Sequence, residues 1–509
     1  MNRCIVADIN EFEARVALLE DNNLVEIHVE RTGKERLVGN IYKGRVENIL
    51  PGMQAAFIDI GLDRNAFLYA GDILVDKADL GFGEDEGNSK VDIPKIKDIL
   101  KVGQEIIVQV LKQPGGAKGA RVTTHITLPA RSLVLMPTVN HIGVSRKISD
   151  EEERERLKII LEEIKPSEMG LIVRTVAEGK SREDFEQEVS FLNRLYEKIM
   201  NKTEYITAPR LIHAEESLIF RTVRDMFISS VDKFIINDRE NYEKVIAVAK
   251  IVAPSMCKKV TLYNGEENIF DYYELNTKIE KALSNKVWLK SGGYLIIDET
   301  EALTVIDVNT GKYVGTNDFQ ETILKTNIEA AYELSKQLRL RDISGIIIVD
   351  FIDMDILANK EKIIEELEKA LETDRTKTNV LGITDLGLVE MTRKKVRRRL
   401  SSLVKMPCPY CAGSGFVYSE ESMALKIKRD LENFIYDNNC REFFIEVHPN
   451  VLSYVLKMMD QGNVYMPRHS DKRFFIKAVN TLHIEDINIK AINSHKELEK
   501  ILEDAKVYC

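Results

Sequence analysis

The alternation of apolar and polar positions predicts a strand-rich first quarter of the chain. Residues 1–38 alternate with the period of two that is typical of short strands. Residues 39–127 continue this pattern between glycine and proline turns, with a mixed-charge loop around residues 81–95. This pattern predicts a small barrel, and the OB-fold is the barrel of this kind that commonly binds nucleic acid.

A helical period replaces the alternation after the barrel. Apolar spacing predicts helices over residues 149–168 and 181–202, and Ser181 with Asp184 resembles a capping box at the start of the second. Residues 212–285 follow as a helix-rich stretch.

The next segment alternates strand and helix, which predicts an α/β unit. Its four elements are a strand, a helix, a strand and a helix at 302–308, 319–340, 345–351 and 355–372. The near-continuous apolar run Ile346–Val349 predicts a strand that is buried on both faces. Residues 417–509 alternate helix and strand again, which predicts a small α/β or α+β domain.

Length and composition limit the possible classes. With 509 residues the chain is too long for one hydrophobic core, so three or more domains are expected. A net charge of −10 argues against non-specific nucleic-acid binding by the whole surface, so such binding requires local basic patches. Six unevenly spaced cysteines argue against a disulfide framework and favour a cytoplasmic protein. No apolar run predicts a signal peptide or an integral membrane segment.

Two predicted strands end in candidate metal ligands. Asp307 and Asn309 are two positions apart on one strand and so project from the same face. Asp350 ends the next strand, followed by Asp353 and Asp355. Carboxylates at the carboxyl ends of buried strands fit a Mg²⁺ site. Turn formation and helix capping are the alternative roles for an Asp-x-Asn-x-Gly sequence.

A Cys-x-x-Cys pair, Cys408 and Cys411, supplies half of a tetrahedral zinc site. No second pair and no histidine pair follows it. One resolution is that a second copy of the chain provides the two missing thiolates, which would make the metal a dimer link.

A basic run lies just before this pair. Residues 392–405 contain seven lysines and arginines and no acidic residue. In an acidic protein such a run favours contact with phosphates, and a solvated face is the alternative.

Two further groups of residues suit nucleic acid. In the predicted barrel, Phe57 and Phe67 could stack on bases near Lys112, although core packing is the usual role of phenylalanine in a barrel. Arg174 and Thr175 end a predicted strand with a guanidinium and a hydroxyl suited to a terminal phosphate.

Five motifs in order resemble the bacterial ribonuclease E/G family, at residues 39–46, 306–311, 337–342, 349–354 and 408–411. The resemblance implies a multidomain α/β and β protein. A divided RNase H-like domain (1–38 and 212–280) would contain an inserted OB-fold (39–127) and a 5′-sensor domain (128–211). A DNase I-like α/β catalytic domain (281–403), a zinc link (404–416) and a small α/β dimerisation domain (417–509) would follow.

The resemblance also implies roles for the chemical groups. Asp307 and Asp350 would hold a catalytic Mg²⁺, with Asn309 assisting beside them. Arg174 and Thr175 would grip the 5′-monophosphate of the RNA.

The remaining implied contacts concern RNA and a second subunit. Phe57, Phe67 and Lys112 would line the RNA surface of the OB-fold, in place of the core role that a generic barrel suggests. Cys408 and Cys411 would share one structural Zn²⁺ with the same pair of a second subunit.

The implied activity is Mg²⁺-dependent endoribonuclease cleavage of single-stranded RNA, favouring 5′-monophosphorylated substrates and leaving 5′-phosphate and 3′-hydroxyl ends. Ribosomal RNA maturation and messenger RNA decay are the implied processes, in a homodimer whose further pairing is left open. The long Pro- and Arg-rich extension of some members is absent, so ribonuclease G is the nearer likeness and degradosome partners are not expected. Arg146 and Lys147 stand where the family often has two arginines, so a phosphate role there stays open.

Two rival functions remain open from sequence. The first is a non-catalytic RNA-binding or ribosome-associated protein that uses the barrel and the basic run. The second is a metal-dependent phosphodiesterase that acts on DNA or nucleotides.

Overall fold

The computed structural model of the chain describes residues 2–33, 36–73, 95–114, 118–145, 147–252, 254–311, 319–437, 440–460, 472–493 and 507–508. These residues belong to two compact units, Met1–Leu403 and Val404–Cys509. The predicted mixed-charge loop, apart from Lys95, and Arg146 lie outside the described residues.

Strands and helices alternate along the described residues. The strands are β1 Arg3–Ile9, β2 Glu13–Glu20, β3 Asn23–Arg31, β4 Ile41–Leu50, β5 Ala55–Asp59, β6 Ala66–Tyr69, β7 Glu105–Lys112, β8 Arg121–Thr123, β9 Leu128–Pro129, β10 Leu133–Met136, β11 Ile142–Val144, β12 Gly170–Val173, β13 Arg210–His213, β14 Lys233–Ile236, β15 Val260–Leu262, β16 Lys286–Trp288, β17 Tyr294–Glu299, β18 Leu303–Asn309, β19 Gly345–Asp350, β20 Thr378–Ile383, β21 Val389–Arg393, β22 Glu442–Val447, β23 Arg473–Ala478, β24 Asn488–Ala491 and β25 Val507–Tyr508. The helices are α1 Ile96–Ile99, α2 Glu151–Ile164, α3 Arg182–Glu204, α4 Leu218–Asp225, α5 Arg239–Val252, α6 Ile269–Tyr272, α7 Leu275–Ala282, α8 Phe319–Arg341, α9 Leu357–Leu371, α10 Leu400–Val404, α11 Glu420–Asp437 and α12 Pro449–Asp460.

One five-stranded sheet joins the start of the chain to a segment more than 200 residues later. Its order is β15-β14-β1-β2-β3, and β1 pairs in parallel with β14. Helices α4 and α5 contribute to the core on one face of the sheet, and α6 and α7 contribute to a second apolar cluster. The helix-rich prediction for residues 212–285 is therefore incomplete, because β14 and β15 are too short for apolar periodicity to identify them.

The small barrel predicted from the sequence is confirmed. Strands β4, β5, β6, β8 and β7 pair in that order, and β7 pairs back with β4 to close the barrel. The inward positions carry small and branched apolar side chains, including Ala56, Ile58, Ala66 and Leu68, which are fully buried. This close packing is typical of a barrel interior filled by side chains.

The next sheet, of order β11-β12-β10-β9, shares one apolar core with α2 and α3. The predicted capping box is confirmed at the start of α3. Ser181 accepts from the backbone of Asp184, whose carboxylate accepts from the backbone of Ser181.

The α/β unit predicted at residues 302–372 is confirmed as part of a six-stranded sheet of order β16-β17-β18-β19-β21-β20. Helices α8 and α9 share a core with its inward side chains, among them Ile347 and Val349. Ile346 is 52% exposed, so the prediction that this strand is buried on both faces is wrong. The apolar run alternates between a covered face and an exposed face, which we call the open face.

The second unit contains a four-stranded sheet of order β24-β22-β23-β25, with α11 and α12 contributing to its core. Its parallel β22–β23 pair agrees with the mixed α/β character expected of the end of the chain. Across the described part of the chain, no helix has both the length and the apolar character that crossing a lipid bilayer requires.

Candidate active site and nucleic-acid surfaces

The first candidate site is a pair of carboxylates at the end of two neighbouring parallel strands. Asp307 of β18 and Asp350 of β19 are direct register partners, and both side chains are exposed. Parallel strands are about 4.8 Å apart, so the two carboxylates start from adjacent backbone positions on the open face. The structure therefore places the two strand-end aspartates side by side.

Local sequence explains why these polar groups point outward. Along β18, Ile306 and Val308 are buried against the helices, so Asp307 and Asn309 must project from the opposite face. The Asn309 side-chain amide donates a hydrogen bond to Asp307 Oδ2 at 2.7 Å. Asp307 lies inside a strand and well before α8 begins, so it does not cap that helix.

The turn after β18 needs glycine at Gly311. Its φ of +59° lies in the left-handed region, and an added Cβ would approach the Gly292 carbonyl oxygen to 2.4 Å. The glycine of the Asp-x-Asn-x-Gly sequence therefore serves the turn, which leaves the aspartate and asparagine available on the open face.

The negative charges of the carboxylate pair lie close together. Burial, Asp307 and Asp353 together raise the pKa of Asp350 above its usual value. Among the described residues, no lysine, arginine or histidine forms an ion pair with Asp307 or Asp350. Two like charges therefore face each other without compensation.

The basic run contributes more to the fold than its composition suggested. Arg393 is buried and binds Asp374 at 2.6 Å, and Arg397 binds Asp342 at 3.1 Å. Phosphate contact is therefore the wrong interpretation for this pair of arginines. Lys394, Lys395, Arg398 and Lys405 are exposed, and for them phosphate contact stays a prediction.

The arginines of this run belong to a buried ion network that extends to strand β3. Burial raises the pKa of Asp342 to about 6 in spite of Arg397. Burial, helped by Arg397, lowers the pKa of His28 to about 4, so this histidine is neutral at pH 7. Burial alone would raise the pKa of Glu26, but His28 and Arg397 hold it well below its usual value. The network joins the six-stranded sheet to the five-stranded one.

Arg174 and Thr175 lie together where β12 ends. Thr175 is exposed, and Arg174 Nη1 donates to the Ala130 carbonyl at 2.8 Å and binds Asp225 at 2.7 Å. Arg375 donates to the backbone carbonyl of Asp225 at 3.1 Å, which brings a third cationic or polar group to this place. Sequence reasoning missed Arg375, because only the fold brings it near Arg174.

At this second site Asp225 neutralises the charge of Arg174 only in part. Burial raises the pKa of Asp225, but Arg224 and Arg174 lower it by more. The pKa is therefore below its usual value, and the carboxylate stays ionised. A guanidinium has five donor hydrogens, and the contacts with Ala130 and Asp225 both use Nη1. The site keeps donors that an anion could use.

The third candidate surface is a cross-strand row on the outside of the barrel. Phe57 pairs in register with Phe67, Phe67 with Arg121, and Arg121 with Lys112. The phenylalanine rings meet edge to face at 5.7 Å between centroids, and both are half-buried while their strand neighbours are fully buried. The core role considered for them is wrong, and their predicted placement beside Lys112 on one surface holds.

Sequence reasoning also missed Tyr69, which extends this row. Its ring centroid lies 4.4 Å from that of Phe67, and the Arg121 guanidinium lies 4.9 Å from the Tyr69 centroid. Asp72 fixes Arg121 through two hydrogen bonds of 2.8 and 2.9 Å. The sequence did contain a signal for Tyr69, because it is two positions after Phe67 on β6 and therefore projects from the same face.

The Cys-x-x-Cys pair lies in the second unit. Cys408 is exposed, and the backbone N–H of Gly415 donates to the Cys411 sulfur at 3.3 Å. Hydrogen bonds from Gly415 and Gly413 lower the pKa of the Cys411 thiol, which favours the thiolate that metals bind. Within the described residues, no three or more His, Cys, Asp or Glu side chains are grouped so that they could hold a metal ion.

Comparisons with known proteins agree with these features. A family model described as the Ribonuclease E/G family matches residues 127–396, and one described as the RNase E/G thioredoxin-like domain matches residues 407–492. Ribonuclease G of Salmonella typhimurium is 41% identical over 88% of this chain and 91% of its own length. Ribonuclease G of Haemophilus influenzae is 41% identical over 90% of this chain and 93% of its own length. Ribonuclease E of Escherichia coli is 36% identical over 90% of this chain but only 43% of its own length.

Proposed function

The chain belongs to the ribonuclease E/G family, and we propose that it is a Mg²⁺-dependent endoribonuclease that cuts single-stranded RNA. The observation that carries this proposal is the in-register pair Asp307 and Asp350 on the exposed face of the six-stranded sheet. The chain is more similar to the relatives named ribonuclease G, at 41% identity, than to the ribonuclease E of Escherichia coli, at 36%.

The donor set fits Mg²⁺. This ion takes one or two carboxylates, keeps several waters and completes its shell with substrate phosphates, so two aspartates are enough. The like-charge pair on the open face has no cationic side chain as a partner among the described residues, and its repulsion would be relieved by a divalent cation. Asn309, which donates to Asp307, would fix the orientation of that carboxylate.

The proposed mechanism divides tasks between the ion and the chain. When bound, Mg²⁺ supplies Lewis-acid polarisation of the scissile phosphate and a more acidic water for in-line attack. Asp307 and Asp350 would hold the ion at the strand ends. Asn309 would hold one Asp307 oxygen by its hydrogen bond, which would leave the other oxygen to bind the metal. Attack of water on phosphorus, with cleavage of the P–O3′ bond and a proton passing to the departing 3′-oxygen, would leave a 5′-phosphate and a 3′-hydroxyl.

We propose that the other two surfaces bind the RNA. The row of Phe57, Phe67 and Lys112 offers rings for base stacking and a cation for the phosphates. Arg174 and Thr175 would bind a 5′-monophosphate through the guanidinium donors left beside Asp225 and through the exposed hydroxyl. A preference for 5′-monophosphorylated RNA follows from this arrangement.

We propose that Cys408 and Cys411 bind structural Zn²⁺ together with the same pair of a second subunit. Zinc takes four ligands, the two thiolates supply half of them, and the lowered Cys411 pKa suits metal binding. Cys408→Ser would then release zinc and shift the homodimer towards monomers, which zinc analysis and sedimentation would detect. The same sedimentation measurement would distinguish a dimer from a tetramer formed by two dimers.

The domain assignments remain part of the proposal. The sheet that combines β1–β3 with β14 and β15 supports a divided RNase H-like domain, and the closed barrel between its halves supports an inserted OB-fold. The sheet of β9–β12 with α2 and α3 corresponds to the proposed 5′-sensor domain, and the six-stranded sheet to the DNase I-like catalytic domain. Maturation of ribosomal RNA and decay of messenger RNA are the proposed processes.

A matched pair of oligonucleotides tests the proposed activity. Single-stranded RNA and DNA of one sequence are incubated with the protein and Mg²⁺, with a chelator as control. We expect endonucleolytic cleavage of the RNA alone, dependent on Mg²⁺. Binding of the RNA without cleavage would instead support a non-catalytic RNA-binding protein. Cleavage of the RNA and the DNA oligonucleotide alike would support a general phosphodiesterase.

A further inference from the structure

An aromatic cluster lies on the same open face as the carboxylate pair and has no role in the proposal above. Trp288 of edge strand β16 and Tyr294 of β17 are register partners, with ring centroids 5.3 Å apart. Lys286 Nζ lies 4.0 Å from the Trp288 centroid and 3.5 Å from the Tyr294 centroid. Trp288 is nevertheless 61% exposed, which is a large apolar surface to leave in water.

The strand register connects this cluster to the candidate active site. One cross-strand row runs from Asp350 through Asp307 and Ile296 to Lys286. In-register side chains project from the same face, so the lysine and the carboxylates share the open face.

A second row repeats the arrangement one step along the strands. Asn309 pairs with Tyr294, and Tyr294 pairs with Trp288. Two strand spacings of about 4.8 Å place the cluster about 10 Å from the Asp307–Asn309 edge. That distance corresponds to about three nucleotides at a stacked rise of about 3.4 Å.

We propose that Trp288, Tyr294 and Lys286 form a base-stacking subsite for single-stranded RNA beside the scissile phosphate. The inference rests on the proposed function, since it assumes that RNA reaches Asp307 and Asp350. Exposed rings accept any base, and the lysine attracts the phosphates that flank it. The cation between the rings also limits their freedom, so less conformational entropy is lost when a base stacks.

RNA fits this surface better than a protein partner does. An exposed tryptophan is also common at protein interfaces. Here, however, the cluster is continuous with the two rows that reach the carboxylates, and its own charge is positive. A strand of phosphates that approaches Asp307 and Asp350 needs cationic contacts nearby, and the carboxylates themselves provide none.

Intrinsic fluorescence gives a direct test, because Trp288 is the only tryptophan of the chain. The Asp350→Asn variant, which should bind RNA without cutting it, is titrated with a labelled single-stranded RNA in Mg²⁺. We expect quenching of Trp288 in step with the rise in RNA anisotropy. A matched RNA that lacks bases near the cleavage position should bind but quench much less.

Steady-state cleavage by otherwise wild-type protein tests the same subsite. Trp288→Ala should raise KM about 5- to 150-fold with kcat little changed, because stacking on one base contributes about 1–3 kcal/mol. Trp288→Phe should recover most of the loss. Leu381→Ala is the control, since Leu381 is an equally exposed apolar side chain on the opposite edge strand, β20.

Two results would overturn the subsite. In the first, RNA binds by anisotropy and the wild type cuts it, but Trp288 fluorescence and the KM of Trp288→Ala stay unchanged. In the second, Trp288→Ala separates subunits while its affinity for RNA is kept, which would make the cluster a protein contact. Failure of the wild type to cut RNA at all would instead refute the proposed function.

Discussion

The two ends of strand β19 show how differently this protein treats an aspartate. Asp342, just before the strand, is buried and faces Arg397 and Arg393. Asp350, the last residue of the strand, is exposed and faces Asp307, with no cationic partner among the described residues. Buried carboxylates are neutralised by arginines of the chain, whereas those on the open face are left for a cation from solution. The first environment stabilises the fold, and the second supplies the chemistry.

The largest effect is expected from removing an arginine at the buried end. Arg393→Met leaves Asp374 without its 2.6 Å partner, and an unpaired buried charge costs about 3–5 kcal/mol. Denaturant unfolding measures this loss. Lys394→Met is the matched control, because Lys394 is the exposed neighbour and its loss should change stability by less than about 0.5 kcal/mol. Equal losses of stability in the two variants would show that the basic run is not divided into a buried structural arginine and an exposed lysine.

The pH dependence of stability sharpens the same comparison. The folded-state pKa of Asp342 is about 6, above its usual value, so the folded protein holds this proton more tightly than the unfolded chain. The resulting stabilisation is complete below about pH 4 and is lost as the pH rises through about 6. Asp342→Asn removes this dependence. The unfolding free energy of the variant relative to wild type should therefore rise by about 2 kcal/mol between about pH 4 and 7. Parallel pH profiles would contradict the assignment.

Arg174 is intermediate between the two environments, because Asp225 neutralises it only in part. Arg174→Ala should reduce the preference for 5′-monophosphorylated over 5′-hydroxyl RNA by about tenfold, as expected for a charge-assisted hydrogen bond of about 1.5 kcal/mol or more. Competition between the two substrates in one reaction measures it. Arg182→Ala, an exposed arginine of α3, is the control. An equal loss on both substrates would refute a sensor role.

The smallest effect is expected from Asp350 on the open face, and its sign is opposite to that at the buried Arg393–Asp374 pair. Asp350→Asn removes repulsion with Asp307 and Asp353 and should raise the melting temperature slightly in the absence of metal. Asp374→Asn, at the buried pair with Arg393, should lower it. Thermal unfolding of the two variants side by side checks both signs. A fall for both would show that Asp350 is a structural residue.

The sequence predicts the local elements well, where one physical cause dominates. The α3 capping box and the α/β unit at 302–372 follow from side chain and backbone chemistry within a few residues. Whether an individual charged or apolar residue is buried or exposed depends on which distant segments pack against it in the fold. Ile346 has the composition of a buried position and is exposed, because helices cover only one face of its sheet.

The same limit applies to the candidate sites. Asp307 and Asp350 could be predicted because each ends its own strand. Arg393 could not be distinguished from its neighbour Lys394, since only Asp374, 19 residues away, decides which of them is buried. The part played by Trp288 required the register of three strands, which no local pattern contains.

Turnover of single-stranded RNA by Asp307→Asn in saturating Mg²⁺ tests the central claim most directly, with RNA affinity measured in parallel. If Asp307 and Asp350 hold the catalytic ion, cleavage should fall by at least about 10³-fold while RNA affinity and thermal stability stay near those of the wild type. Turnover within a few-fold of the wild type would show that the carboxylate pair on the open face is not the active site.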